Sequence, residues 1–154
     1  MAGDVADYQI RSAVADDVAA IVAMLADDPL GATRETPGDL AAYHRAFQAI
    51  AADRNQLLVV AEREGTVVGT LQLTFIPGLP RQGATRAQIE GVRVASTERG
   101  AGLGGHLITW AIDESRRRGC QVAQLTSDAT RTDAHRFYER LGFVPSHVGF
   151  KRPL

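Results

Sequence analysis

The chain has 154 residues, 45% apolar and 23% charged, with a formal net charge of -1 at pH 7. That length suits one domain able to bury its own core without a disulfide or metal staple. The charge balance points to no polyanionic partner such as nucleic acid, and no apolar stretch approaches the ~20 residues that span a bilayer.

The single cysteine, Cys120, excludes an internal disulfide and suits a reducing compartment, so a cytoplasmic location is expected. Residues 1–7 carry two aspartates and no apolar run, which reads as a short N-terminal extension and not a signal peptide. Residues 8–154 are expected to form a single domain.

In chain order, Gln9 to Ala13 alternates weakly as a short strand. Asp16 and Asp17 offer a cap to a helix bearing Val18, Ile21, Val22 and Leu25 at helical spacing. After Asp27-Asp28-Pro29 and a loop to Glu35, Thr36-Pro37-Gly38-Asp39 reads as a second helix start, followed by the stripe Leu40, Tyr43, Phe47 and Ile50. Gln56 to Ala61 and Thr66 to Ile76 form an antiparallel hairpin around Arg63-Glu64-Gly65. A polar loop, Pro77 to Arg86, precedes the strand Gln88 to Val94.

Gly100 to Gly105 opens a helix carrying Leu103, Leu107, Ala111 and Ile112. Arg116 to Arg118 lie in its last turn and Gly119 stops it. Gln121 to Thr126 is a strand, Thr132 to Leu141 a helix stopped by Gly142, and Val144 to Phe150 a last strand. The order β-α-α-β-β-β-α-β-α-β predicts a mixed α/β (α+β) domain, a mixed sheet covered by helices.

The sharpest motif is Arg99-Gly100-Ala101-Gly102-Leu103-Gly104-Gly105, between a strand and an amphipathic helix. Glycines there let main-chain N–H groups approach an anion, the helix N-terminus adds partial positive charge, and Arg99 adds a charge-assisted bond. Gly100, Gly102 and Gly105 also spell G-x-G-x-x-G. The context argues against a dinucleotide fingerprint, because five residues separate strand from glycine and an antiparallel hairpin precedes it. A glycine turn without a ligand and a nucleotide-dependent oxidoreductase stand as alternatives at this point.

Arg99, two spacers, then Gly102-Leu103-Gly104 resembles the R/Q-x-x-G-x-G/A signature of the GCN5-related N-acetyltransferases, the GNAT superfamily. Phe137-Tyr138-Glu139-Arg140-Leu141-Gly142-Phe143 is similar to that family's later F-Y-x-x-x-G-F segment. The resemblance runs from about Tyr8 to Phe150 and implies the GNAT-type fold, with a central, mostly antiparallel mixed sheet. It further implies an acetyl-CoA-dependent N-acetyltransferase acting on a small-molecule or peptide amine by direct attack in a ternary complex, and a homodimer; a non-catalytic acyl-CoA-binding module is the alternative.

Carried over residue by residue, the resemblance puts the pantetheine arm on the backbone of Val92 and Val94. The pyrophosphate falls to Arg99, Gly100, Ala101, Gly102, Leu103, Gly104 and Gly105. Tyr138 takes the place of the general acid that protonates the departing CoA thiolate. Its bland alternative is a core tyrosine sharing a helical face with Ala134 and Leu141.

Glu90 is the candidate base for an amine that arrives protonated. Simple alternation puts it on the face of Val92 and Val94, and a bulge would redirect it. Where many members carry an asparagine this chain has Arg131, a candidate phosphate contact. Asp128 and Ser127 are weaker candidates, read first as turn and capping residues.

The resemblance implies an acceptor site between the loops Asp27 to Glu35 and Pro77 to Arg86; Asp27, Asp28 and Glu35 suit a cationic amine, whereas Arg81 and Arg86 suit an acceptor carrying a carboxylate or phosphate. The histidines have no metal-ligand spacing, so no metal is expected. Cys120 stands apart from both motifs, and Trp110 reads as a core or dimer contact.

Overall fold

The computed structural model describes residues 7–154. Its sheet has five strands in the order β1-β2-β3-β4-β5: β1 (Gln9–Ser12), β2 (Gln56–Arg63), β3 (Thr66–Ile76), β4 (Arg86–Val94) and β5 (Val122–Gln124). β1 through β4 pair antiparallel, and β4 pairs β5 in parallel. The helices are α1 (Val18–Ala26), the short α2 (Gly31–Arg34), α3 (Ala41–Ala52), the turn-like α4 (Pro80–Gly83), α5 (Leu103–Arg117) and α6 (Thr132–Arg140).

Period-two alternation sends the strand side chains to two different faces. Val59, Ala61, Leu71, Leu73, Ala87 and Ile89 pack with Leu103, Leu107, Ile108 and Ala111 of α5 in one cluster. Val60 and Thr70 lie between them on the opposite face, which α1 covers with the buried Val18, Ile21 and Val22. Burying a side chain such as Leu107 contributes about 1.5–3 kcal/mol. Gly69 lets α5 sit close to the sheet: a Cβ there would come within 3.1 Å of Leu107 and 3.2 Å of Leu103. That contact anchors the first turn of α5, and with it the glycine motif.

Three expectations are corrected. Thr36 does not start the second long helix. Its N–H is taken by Tyr43 Oη, Asp39 Oδ1 accepts from Ala41 N, and α3 begins at Ala41. The loop after Pro29 contains α2, because Asp28 Oδ1 accepts from Gly31 N and closes a helical turn.

The last strand, Val144 to Phe150, does not form. The segment joins no ladder, and Val144, Val148 and Phe150 are 77%, 78% and 93% exposed. Pro145 removes a ladder donor, and the strand it would extend from, β5, ends at Gln124.

Candidate active site

β4 is paired on both edges only at its start. Arg86, Ala87 and Gln88 face Val122, Ala123 and Gln124 of β5; from Ile89 to Val94 no strand lies on that side among the described residues. On the β3 side the register slips, with Gln72 opposite Glu90 but Thr70 opposite Arg93. Two residues of β4, Gly91 and Val92, thus oppose one of β3, and Gly91 takes φ +63° to permit it.

The bulge decides which way the side chains point. Ile89 pairs with Leu73 and Val94 with Gly69, both on the α5 face. Glu90 and Arg93 share the other face with Thr70, Gln72 and Thr74. Glu90 therefore does not share a face with Val94, contrary to simple alternation. It is exposed, with Thr74 Oγ1 at 3.5 Å.

Beyond β4 the chain makes a 3-10 turn, Ser96–Glu98, anchored by Glu98. Glu98 Oε2 accepts from Tyr8 Oη at 2.6 Å and from Arg63 Nη1 at 3.0 Å. The tyrosine bond foremost, then the arginine, holds the Glu98 carboxyl below its usual range. Arg99 is exposed, and its Nη2 donates to Asp27 O at 3.1 Å.

Gly100 and Gly102 both take φ +84°, which side chains disfavour. No side chain caps α5, and its first helical bond runs from His106 N to Gly102 O. The N–H groups of Leu103, Gly104 and Gly105 therefore precede the helical ladder and have no partner within it. A Cβ on Gly105 would meet nothing within 4 Å. This open, side-chain-free cradle of donors at a positive helix end fits a pyrophosphate.

The later motif reaches the same place. A Cβ on Gly104 would lie 3.6 Å from Phe137 Cζ and 3.9 Å from Val94 Cγ2, so α6, β4 and the glycine loop meet there. Tyr138 is half-buried, edge-on to Phe137 (5.2 Å between centroids) and Phe143 (6.0 Å). Its Oη has no hydrogen-bond partner among the described residues. Burial pushes its phenol above 10.0, while Arg131 and Arg93 pull it back.

The structure adds Arg93 to the site and pairs it with Asp28 of the expected acceptor loop. Arg93 Nε lies 3.1 Å from Asp28 Oδ2. Asp28 is held below the usual carboxylate range chiefly by its bond from Gly31 N, with Arg93 and Arg131 contributing. The sequence clue was an arginine inside a run of valines on a strand, Val92-Arg93-Val94. Its partner, 65 positions away, was not legible.

Arg131 is exposed at the start of α6. Asp128 closes the preceding turn through Thr130 N and Oγ1, as its capping reading expected. The loop Pro77 to Arg86 contributes Arg81, Gln82 and Ala84 to a shallow depression with Gln121 and Val122, at the paired end of β4. Burial pushes the Cys120 thiol up, away from nucleophilic use. Trp110 packs half-buried against the core. Among the described residues no His, Cys, Asp and Glu group could hold a metal.

The sequence pattern of the acetyltransferase (GNAT) family matches residues 19–143, a span holding both motifs. The chain belongs to the GNAT family. Aminoalkylphosphonate N-acetyltransferase of Salmonella typhimurium is 30% identical over 95% of this chain and 91% of its own. Glucosamine 6-phosphate N-acetyltransferase of Trypanosoma brucei brucei is 39% identical over 51% of this chain and 52% of its own. A Bacillus halodurans C-125 structure described as a transcriptional regulator superposes with TM-score 0.92 at 48% identity, covering 96% of this chain and 99% of that one. This GNAT-family chain is an acyl-CoA-dependent N-acetyltransferase, with the family's mixed sheet flanked by helices.

Proposed function

We propose that the chain moves the acetyl group of acetyl-CoA to the primary amine of a small molecule by direct attack in a ternary complex. The observation that carries this reading is the meeting of three features: the unpaired edge of β4, the uncapped N-terminus of α5, and α6, whose Phe137 lies beside Gly104 and immediately precedes Tyr138.

The backbone of Val92 and Val94 holds the pantetheine arm. Arg99 and the N–H groups from Gly100 through Ala101, Gly102, Leu103 and Gly104 to Gly105 hold the pyrophosphate. When bound, acetyl-CoA supplies the activated acyl carbonyl. Glu90 takes a proton from the ammonium, directly or through water, so that the nitrogen lone pair becomes available.

Tyr138 Oη gives its proton to the departing sulfur. A phenol near ~10 and a thiol near ~8.5 are mismatched by about 2 kcal/mol in water. Burial, the largest influence on the phenol, widens the gap, and the Arg131 and Arg93 charges offset part of that. Its unpartnered hydroxyl is what a proton donor to substrate requires, and a purely packing tyrosine has no use for it.

The acetylated amines in the names of the Salmonella and Trypanosoma relatives are small molecules, which supports a small-molecule acceptor. Residues 8–154 act as one catalytic domain, with the lone Cys120 in keeping with a cytoplasmic location. No described helix is long and apolar enough to cross a membrane. The exposed Val144, Val148 and Phe150 support a homodimer that covers them.

Isothermal titration with acetyl-CoA, with NADH as control, tests the donor, and thiol release with a panel of amines tests the transfer. Heat from acetyl-CoA alone, followed by thiol release with an amine, is the expected result. Absence of acetyl-CoA binding would refute the reading.

A further inference from the structure

Arg93 is held in an incomplete arrangement. Its Nη1 donates to Val92 O at 2.9 Å. Its Nε faces Asp28 Oδ2 at 3.1 Å, but the pair is not aligned, and both atoms are buried with no hydrogen bond. Nη2 has no partner among the described residues. Nε and Nη2 form the side of a guanidinium that grips an oxyanion with two parallel bonds. That side is turned toward Asp28 and unsatisfied.

Leaving a buried donor and a buried carboxylate oxygen without hydrogen bonds is costly, and such an unmade pair is an expected place for a missing ligand. The bulge at Gly91 places this pair on the face of β4 that also carries Glu90. The Arg131 charge acts on both Asp28 and Tyr138.

We infer that the acceptor is a zwitterionic amine, its oxyanion (carboxylate, phosphonate or phosphate) gripped by Nε and Nη2 of Arg93, and its ammonium received by Asp28 Oδ2. Asp28 then exchanges a misaligned arginine for an aligned ammonium, and each buried atom gains its hydrogen bond. Amine and acid must be only a few atoms apart, because the atoms that receive them are neighbours. Glu90 takes the proton from an ammonium already positioned by Asp28. This rests on the transferase mechanism proposed above and adds its substrate class and two specificity residues.

The test uses the full chain, acetyl-CoA and matched amines: 2-aminoethylphosphonate, 3-aminopropanoate and propylamine. Hydrogen bonds to a charged group predict that kcat/KM for the better acid-bearing amine exceeds that for propylamine by about 10- to 100-fold. The phosphonate and carboxylate arms identify which oxyanion is preferred. Arg93→Gln is expected to collapse the preference through KM for the acceptor, with acetyl-CoA affinity kept, and Arg93→Lys to restore part of it.

Equal use of propylamine by the unmodified chain, or a preference that survives Arg93→Gln, would overturn the inference and leave the transferase mechanism standing. Thiol release with no amine of any charge would overturn the mechanism, and the inference with it.

Discussion

Tyr138→Phe removes one oxygen and little else. The ring keeps its edge-on contacts with Phe137 and Phe143, and Oη makes no hydrogen bond that folding would lose. The folding cost should therefore stay within about 0.5 kcal/mol, the scale of changes that disturb no buried partner. For 154 residues that is a Tm shift of about 2 °C or less. Loss of a positioned general acid costs about 100-fold or more in kcat.

The assay is steady-state thiol release with the best acceptor, alongside acetyl-CoA titration and thermal unfolding of both proteins. The expected pattern is low kcat, nearly unchanged acetyl-CoA affinity and unchanged Tm. A pH profile sharpens it: Arg131 lowers the phenol, so Arg131→Gln should move the alkaline limb of kcat upward in pH. An unaltered kcat in Tyr138→Phe would refute the general-acid role and return Tyr138 to the core. A large fall in Tm would show that the hydroxyl has a structural partner.

Glu90→Gln should lower kcat/KM at neutral pH by about 10- to 100-fold, with the deficit shrinking toward pH 10 as the amine deprotonates unaided; a deficit constant across pH would exclude the base role. Gly105→Ala should give effects of opposite sign. Helix propensity stabilises the chain by up to about 1 kcal/mol, while the methyl group enters the open cradle and weakens acetyl-CoA binding, read by unfolding and titration on the same sample. Asp17→Asn should lower stability by about 2 kcal/mol, because Asp17 receives Arg11 at 2.7 and 3.0 Å and Val14 N at 2.8 Å. The Arg11 bond foremost depresses the Asp17 carboxyl. Its stabilisation is thus present above the ordinary carboxylate range near ~4 and lost as pH falls through the depressed value. Tm against pH should fall on the acid side more steeply for the native chain than for the variant.

What the sequence determined by itself was whatever depends on local chemistry. Helical spacing in Val18, Ile21 and Val22, the hairpin at Glu64-Gly65, and glycine stops at Gly119 and Gly142 all appear as read, because each is set by a few neighbouring dihedrals. The glycine run announced an anion cradle for the same reason: backbone freedom and a helix start are both encoded within seven residues.

What the tertiary structure decided were the features set by partners distant in the chain. A slip of register against β3 turned Glu90 and Arg93 to one face, and only pairing reveals a slip. Asp28 and Arg93 meet because α1 packs across β4. The last strand failed although its apolar pattern was sound, since a strand exists only where a neighbour supplies hydrogen bonds, and β5 ends too soon to supply them. Propensity is a property of a segment; a ladder, a bulge and a buried ion pair are properties of two.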